Sequence, residues 1–162
     1  MKIFVTVGAQ MPFDRLITAM DEWAAAHPEH SVFAQIGKSE LRPKHMEWSK
    51  LTSPSRFEAY CEDSDAIVGH AGIGTLFAAL ERGKPIVVLP RLATKLETRN
   101  EHQSATARRF AQYSNVQVAW SESEITERLS ELPAMIQSAG GRVIDDAAHG
   151  PLIQALADFI DA

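Results

Sequence analysis

Cysteine is nearly absent from this chain, since Cys61 is the single one among 162 residues. A lone cysteine excludes an internal disulfide and a cysteine-cluster zinc site, and it fits a reducing compartment. We interpret Cys61 as a small buried hydrophobic residue rather than as a nucleophile. Four histidines show no spacing typical of a metal site, so we predict no metal there: His27, His30, His45 and His149.

Long apolar runs are also absent. The run at 85–90 is far shorter than the roughly 20 residues that a membrane-spanning helix requires. The apolar stretch at 1–7 is too short for a signal peptide and leads directly into a glycine. We therefore expect a cytoplasmic protein that carries no membrane anchor of its own.

The chain has no excess of positive charge. Sixteen Lys and Arg residues stand against 21 Asp and Glu residues, which gives a formal net charge of -5 at pH 7. Because nucleic-acid phosphates bind clustered Lys and Arg most strongly, this balance argues against a nucleic-acid binder. A local basic patch formed by Arg99, Arg108 and Arg109 is interpreted mainly as a solvated helix face.

What the chain does have is a regular alternation of short β-branched runs and amphipathic stretches. This pattern is typical of βαβ units, and it predicts an α/β, Rossmann-like fold with a mostly parallel sheet and helices on both faces. With 45% hydrophobic residues over 162 positions, the chain can close one core, so we expect a single domain over 1–162. Strands are predicted at 3–7, 32–36, 66–68, 85–89 and 116–120, with a short one near 45–49. Helices are predicted at 13–26, 55–61, 74–82, 100–112, 122–132 and 151–160, with a flexible break at 137–142.

The most informative segment is 66–75, in which a predicted strand ends in a glycine-rich turn and leads into a helix. Such a turn leaves free backbone N–H groups at the positive end of the helix dipole, which suits a phosphate. Gly72 and Gly74 would let a diphosphate approach the backbone at the carboxyl edge of the sheet. Glycines at such a turn also serve tight packing, and this spacing matches neither standard nucleotide fingerprint. Local chemistry leaves both interpretations open.

Three separated segments resemble the glycosyltransferase family 28 C-terminal domain, which is the donor-binding half of GT-B glycosyltransferases. They are Gly69–Thr75, Ala78–Pro85 and Asn100–Gln103. The segments at 4–8 and 12–16 also look like two kinds of relative: the small cytosolic subunit of the dolichol-linked N-acetylglucosaminyltransferase, and bacterial exopolysaccharide glycosyltransferase subunits. The resemblance covers about residues 1–132.

The resemblance implies that the chain binds a UDP-sugar as substrate, with no cofactor and no metal. His70 and the backbone at 72–75 would face the diphosphate, and His102 and Gln103 would reach the sugar hydroxyls. A neutral histidine can donate one hydrogen bond to a phosphate, and a protonated one adds charge. The alternatives are a packing role for His70 and a helix-capping role for His102. The implied donor-binding residues are Gly8, His70, Gly72, Ile73, Gly74, Thr75, Asn100, His102 and Gln103.

One position departs from the family pattern. Relatives carry a glutamate that binds the ribose on the helix after the glycine turn, and the matching residue here is Ala78. Glu81 lies three residues further along the same helix and is a candidate substitute for that glutamate. Its alternative role is a surface pair with Arg82.

The chain has too few residues for an acceptor domain, so the catalytic base is expected from a partner. The resemblance implies an inverting glycosyltransferase whose membrane-associated partner subunit binds a lipid-linked acceptor and recruits this chain to the inner face of the membrane. The C-terminal helix at 151–161 would either dock on that partner or cover its own sheet. A second hypothesis is a non-catalytic accessory subunit that stabilises or enhances a partner glycosyltransferase.

Overall fold

Six strands form one parallel sheet in the computed structural model, which describes residues 1–139. The strands are β1 (Lys2–Thr6), β2 (Ser31–Gln35), β3 (Glu47–Ser49), β4 (Ala66–His70), β5 (Ile86–Leu89) and β6 (Val116–Val118). Their order across the sheet is β3-β2-β1-β4-β5-β6, and every neighbouring pair is parallel. This is the order of a doubly wound, Rossmann-like sheet, as predicted.

Helices cover both faces of the sheet. They are α1 (Asp14–Ala26), α2 (Pro54–Asp63), α3 (Ile73–Glu81), α4 (His102–Phe110) and α5 (Glu122–Ala139). Side chains alternate along each strand, so Ile3 and Val5 join the core beneath α1 and α5, whereas Phe4 joins the core beneath α2, α3 and α4. The two cores explain why the strands are apolar on both faces.

Most predicted elements are confirmed to within a few residues, including the short edge strand β3. The end of the predicted helix at Leu132 is wrong, because α5 continues through Pro133 to Ala139. Met135 and Ile136 pack against the core, and their burial outweighs the hydrogen bond that the proline removes. The first part of the predicted break at 137–142 is therefore helical. The predicted helix at 151–160 lies outside the described residues.

Cys61 is fully buried on α2. Burial raises the pKa of its thiol to about 11, so the thiolate that a nucleophile would need is scarce at neutral pH. The prediction of a small buried hydrophobic residue is confirmed.

The strand order also indicates where a ligand would bind. β1 and β4 are neighbours, and the helices that follow them, α1 and α3, lie on opposite faces of the sheet. A crevice opens at the carboxyl ends of two such strands, and open α/β sheets bind their ligands there. No helix within residues 1–139 is long and apolar enough to cross a membrane.

Candidate functional site

The imidazole ring of His70 lies at the carboxyl end of β4, between two glycines. A Cβ atom built on Gly8 would lie 3.0 Å from Cε1 of this ring, and one built on Gly72 would overlap Nε2 and lie 2.8 Å from Cδ2. Gly8 also has a φ of 73°, which favours glycine. The missing Cβ atom of Gly72 therefore makes room for the His70 ring, and the prediction that Gly72 also lets a diphosphate approach stays a prediction.

His70 is neutral at physiological pH. The pKa of its imidazole is lowered from 6.5 to about 4, mainly by burial and secondly by the nearby Arg91 guanidinium, against a smaller, opposite effect from the backbone of Thr6. Nδ1 is buried and has no hydrogen-bond partner of good geometry among residues 1–139. Without a ligand, His70 is therefore a neutral imidazole, which can donate one hydrogen bond, and not a protonated one.

The first turn of α3 begins beside this ring. The N–H groups of Ile73, Gly74 and Thr75 have no partner within the helix, because no turn precedes them. The N-cap residue, Gly72, has no side chain that could accept a hydrogen bond from them. A Cβ atom built on Gly74 meets nothing within 4 Å among the described residues. By contrast, the side chain of Thr75 is buried with its methyl group toward Gly69. The open backbone at Gly74 is thus the part of the turn that an anion could reach.

A cleft of about 670 Å³ opens next to Gly8. One wall is the loop between β1 and α1, the other is the loop between β5 and α4 together with the first turn of α4, and Lys38 is added from the loop after β2. Its lining residues are Ala9, Gln10, Met11, Lys38, Thr98, Arg99, Asn100, His102 and Gln103. Among residues 1–139, the lining contains the cations Lys38 and Arg99 and no acidic residue, so this cleft of a net acidic chain favours an anion.

Three predicted residues meet in this cleft, at the start of α4. The N-cap residue of α4 is Glu101, and the Oδ1 atom of Asn100 accepts a hydrogen bond from the backbone N–H of His102, the first residue of the helix, at 3.2 Å. His102 itself is exposed and lines the cleft. Oε1 of Gln103 accepts the Arg91 N–H at 3.0 Å, which leaves the Gln103 side-chain amide group available as a donor.

Arg91 is a residue that the sequence analysis missed. It lies two residues after the end of β5, only 4% of its surface is exposed, and its guanidinium donates to four backbone carbonyls. The only signal in the sequence is an arginine at the carboxyl end of a buried strand, where an apolar residue is more common. Arg99 also differs from its prediction, because it precedes α4 and lines the cleft instead of a helix face.

Glu81 is not brought to the cleft. It is the last residue of α3, about half exposed, with its carboxylate 3.8 Å from the Arg82 guanidinium. The rise along a helix places it roughly 12 Å from the first turn at Ile73. The geometry favours the surface pair over the ribose contact, and Ala78 offers only a methyl group at the position where relatives carry the glutamate.

Residues 2–142 match the glycosyltransferase family 28 C-terminal domain. The chain belongs to this family. No curated protein sequence matches it. The family 28 domain thus accounts for nearly all of the described residues, which include the glycine turn and the cleft.

Solved structures show the same fold. The glycotransferase of kitacinnamycin is 24% identical over 99% of this chain, with a TM-score of 0.67, and the match covers 42% of that protein. MurG of Acinetobacter baumannii is 16% identical over 93% of this chain and 48% of its own, with a TM-score of 0.59. ALG13 is 18% identical over 80% of this chain and 84% of its own, with a TM-score of 0.56. This family 28 chain therefore spans less than half the length of two of these three proteins.

Acid is expected to destabilise this family 28 domain through His70. Its pKa is about 4 in the folded chain and has the ordinary value of 6.5 when exposed, so the unfolded chain binds more protons between these values. The free energy of unfolding should therefore fall as the pH is lowered from 6.5 to 4. Urea unfolding at several pH values measures this fall, and His70→Asn should reduce it. Equal pH dependence in the variant and the wild type would contradict a neutral, buried His70.

Proposed function

We propose that this chain is the UDP-sugar-binding subunit of a two-component inverting glycosyltransferase that makes a polysaccharide or a lipid-linked glycan. The observation that carries the proposal is the neutral His70 ring, packed between Gly8 and Gly72 beside the uncapped first turn of α3. A leaving diphosphate needs its developing charge stabilised, and helix N–H groups with a positioned histidine can do this without a metal.

The diphosphate would lie over Gly74, where the backbone is open. There it would accept hydrogen bonds from the first-turn N–H groups and from the His70 imidazole. A bound diphosphate would also raise the pKa of His70, because a nearby negative charge favours the protonated form. The histidine would then become a better donor as the leaving group gains charge.

The sugar would lie in the neighbouring cleft. The Gln103 amide group and the exposed His102 ring face it from one wall, and both can bind hydroxyl groups. Lys38 and Arg99 would add attraction for the anionic donor as a whole. The same assignment is implied by the resemblance of residues 100–103 to the family 28 domain.

The acceptor and the catalytic base would come from a membrane-associated partner subunit that binds a lipid-linked acceptor. This part of the proposal rests on the likeness to ALG13, which this chain matches over 84% of the length of that protein. It also rests on the larger relatives, in which the matched region is less than half of the chain. Such a partner would hold this chain at the inner face of the membrane.

Ala78 favours a second candidate, a non-catalytic accessory subunit that stabilises a partner glycosyltransferase. The ribose loses its usual carboxylate partner at Ala78, and Glu81 is too far along α3 to replace it. An accessory subunit would not need saturable donor binding, so a binding measurement separates the two candidates.

Titration calorimetry with UDP and UDP-sugars is the decisive measurement. We expect saturable UDP binding, and we expect His70→Ala to weaken it by about 10-fold or more, since a hydrogen bond to a charged group contributes about 1.5–3 kcal/mol. Gln103→Ala should leave UDP affinity nearly unchanged and remove the added affinity of the sugar. The two variants thus report separately on diphosphate and sugar.

His45→Ala is the matched control, because His45 is exposed and pairs with Asp21 on another part of the surface. It should bind UDP like the wild type. The absence of UDP binding by the chain, both alone and in complex with its partner, would exclude the donor-site proposal and leave the accessory role.

A further inference from the structure

Arg91 forms an unusually complete set of hydrogen bonds. Its Nη2 group donates to the carbonyl oxygens of Val7 at 2.6 Å and Met11 at 2.7 Å. Its Nη1 group donates to those of Pro12 at 2.7 Å and Glu97 at 2.9 Å. All four N–H groups at the end of the guanidinium therefore bind backbone.

These four carbonyls belong to the two walls of the cleft. Val7, Met11 and Pro12 lie in the loop from β1 to α1, and Glu97 lies in the loop from β5 to α4. The backbone N–H of Arg91 adds a further link, because it donates to Oε1 of Gln103 in the second wall. A single side chain thus joins both walls, and its own backbone orients a cleft residue.

Neighbouring groups hold the guanidinium in place. It lies over the Phe13 ring, 4.7 Å from the ring centroid, in a favourable cation–π arrangement. Arg15, at the start of α1, also contacts the second wall, because it forms a bidentate pair with the Glu97 carboxylate at 2.8 Å. Burial lowers the pKa of Arg91 to about 10, so it remains charged at neutral pH.

The chemistry of arginine suits this task. A planar guanidinium presents its donors in a fixed fork, whereas a lysine ammonium is a point charge with three rotating donors. A lysine at this position could not reach carbonyls on both walls in the same geometry. The four carbonyl oxygens accept the guanidinium hydrogen bonds directly, and the nearby Glu97 carboxylate, which is paired with Arg15, also favours the charged form of Arg91.

We propose that Arg91 is a positioning residue that sets the spacing of the two cleft walls and thereby determines donor affinity, an inference that rests on the proposed function. Arg91 itself makes no contact with the donor in this arrangement. It acts through the loop at 9–11 and through Gln103, both of which line the cleft.

Arg91→Lys tests the proposal by two measurements at a temperature where circular dichroism shows the variant to be folded. Hydrogen exchange should become at least about 10-fold faster for amides at 9–11 and 98–100, while amides in β4 keep their wild-type rates. UDP-sugar affinity should fall by about 10-fold or more in the same folded sample. If the lysine variant does not fold, both measurements are made on Arg91→Gln, which keeps a planar donor without the charge.

Arg128→Lys is the control, because Arg128 also donates to a backbone carbonyl, that of Val118 at 3.2 Å, away from the cleft. It should leave exchange in the cleft loops and donor affinity unchanged. Unchanged loop exchange in the Arg91 variant, or equal acceleration in loops and β4, would overturn the positioning role. If the wild type binds no UDP, the proposed function fails, and the exchange measurement still decides whether Arg91 joins the two walls.

Discussion

UDP affinity is expected to fall by about 10- to 100-fold when Gly72 is replaced by alanine, with little change in the overall fold. The new methyl group would overlap the His70 ring, which cannot move aside freely because Gly8 lies against its other side. Gly72 has φ -84° and ψ 138°, values that alanine adopts without strain. The substitution therefore displaces the imidazole and leaves the backbone in place, and titration with UDP measures the result.

Gly74→Ala is the matched variant, and we expect stability and binding to change in opposite directions. Gly74 lies in α3 with open space around its Cβ position, so alanine should stabilise the chain by about 0.5–1 kcal/mol. The same methyl group would stand where we place the diphosphate, so UDP affinity should fall. Wild-type affinity in both variants would show that the diphosphate does not bind at this turn.

Gly37→Ala is expected to cause the largest loss of stability, about 2–4 kcal/mol in the free energy of unfolding. Gly37 has a φ of 60°, and a Cβ atom there would lie 2.6 Å from the Gly8 carbonyl oxygen. Both clashing groups are attached to backbone, so no side-chain rotation relieves the overlap. Urea unfolding followed by circular dichroism measures the loss.

Gly83→Ala is the control for Gly37, because Gly83 also has a φ of 60°, at the end of α3 and away from Gly8. The positive φ should cost about 1 kcal/mol there. If the two variants lose equal stability, the close approach of Gly37 to Gly8 contributes nothing. A loss at Gly37 that also weakens UDP binding would link this approach to the position of the loop at 9–11.

The fold could be predicted from the sequence because each element has a local pattern of its own. Hydrophobic spacing at Ile73, Leu76, Phe77 and Leu80 places α3 to within one residue. The same local reasoning placed the end of α5 too early, at Leu132. Met135 and Ile136 pack against the core, and this packing cannot be predicted from the neighbouring residues in the sequence. For Glu81 the sequence left open a ribose contact and a surface pair with Arg82, and the position of this residue at the end of α3 favours the pair.

The α/β fold, the glycine turn at 69–75 and membership of glycosyltransferase family 28 could be predicted without the structure, because each depends on segments whose own residues are close together along the chain. Three features depend on how distant segments pack: the neutral state of His70, the space that Gly72 leaves for its ring, and the link that Arg91 makes between the cleft walls. Arg91 and Val7 are separated by 84 positions, and burial depends on every segment that packs nearby. The chemistry of the cleft therefore arises where the carboxyl ends of distant strands meet.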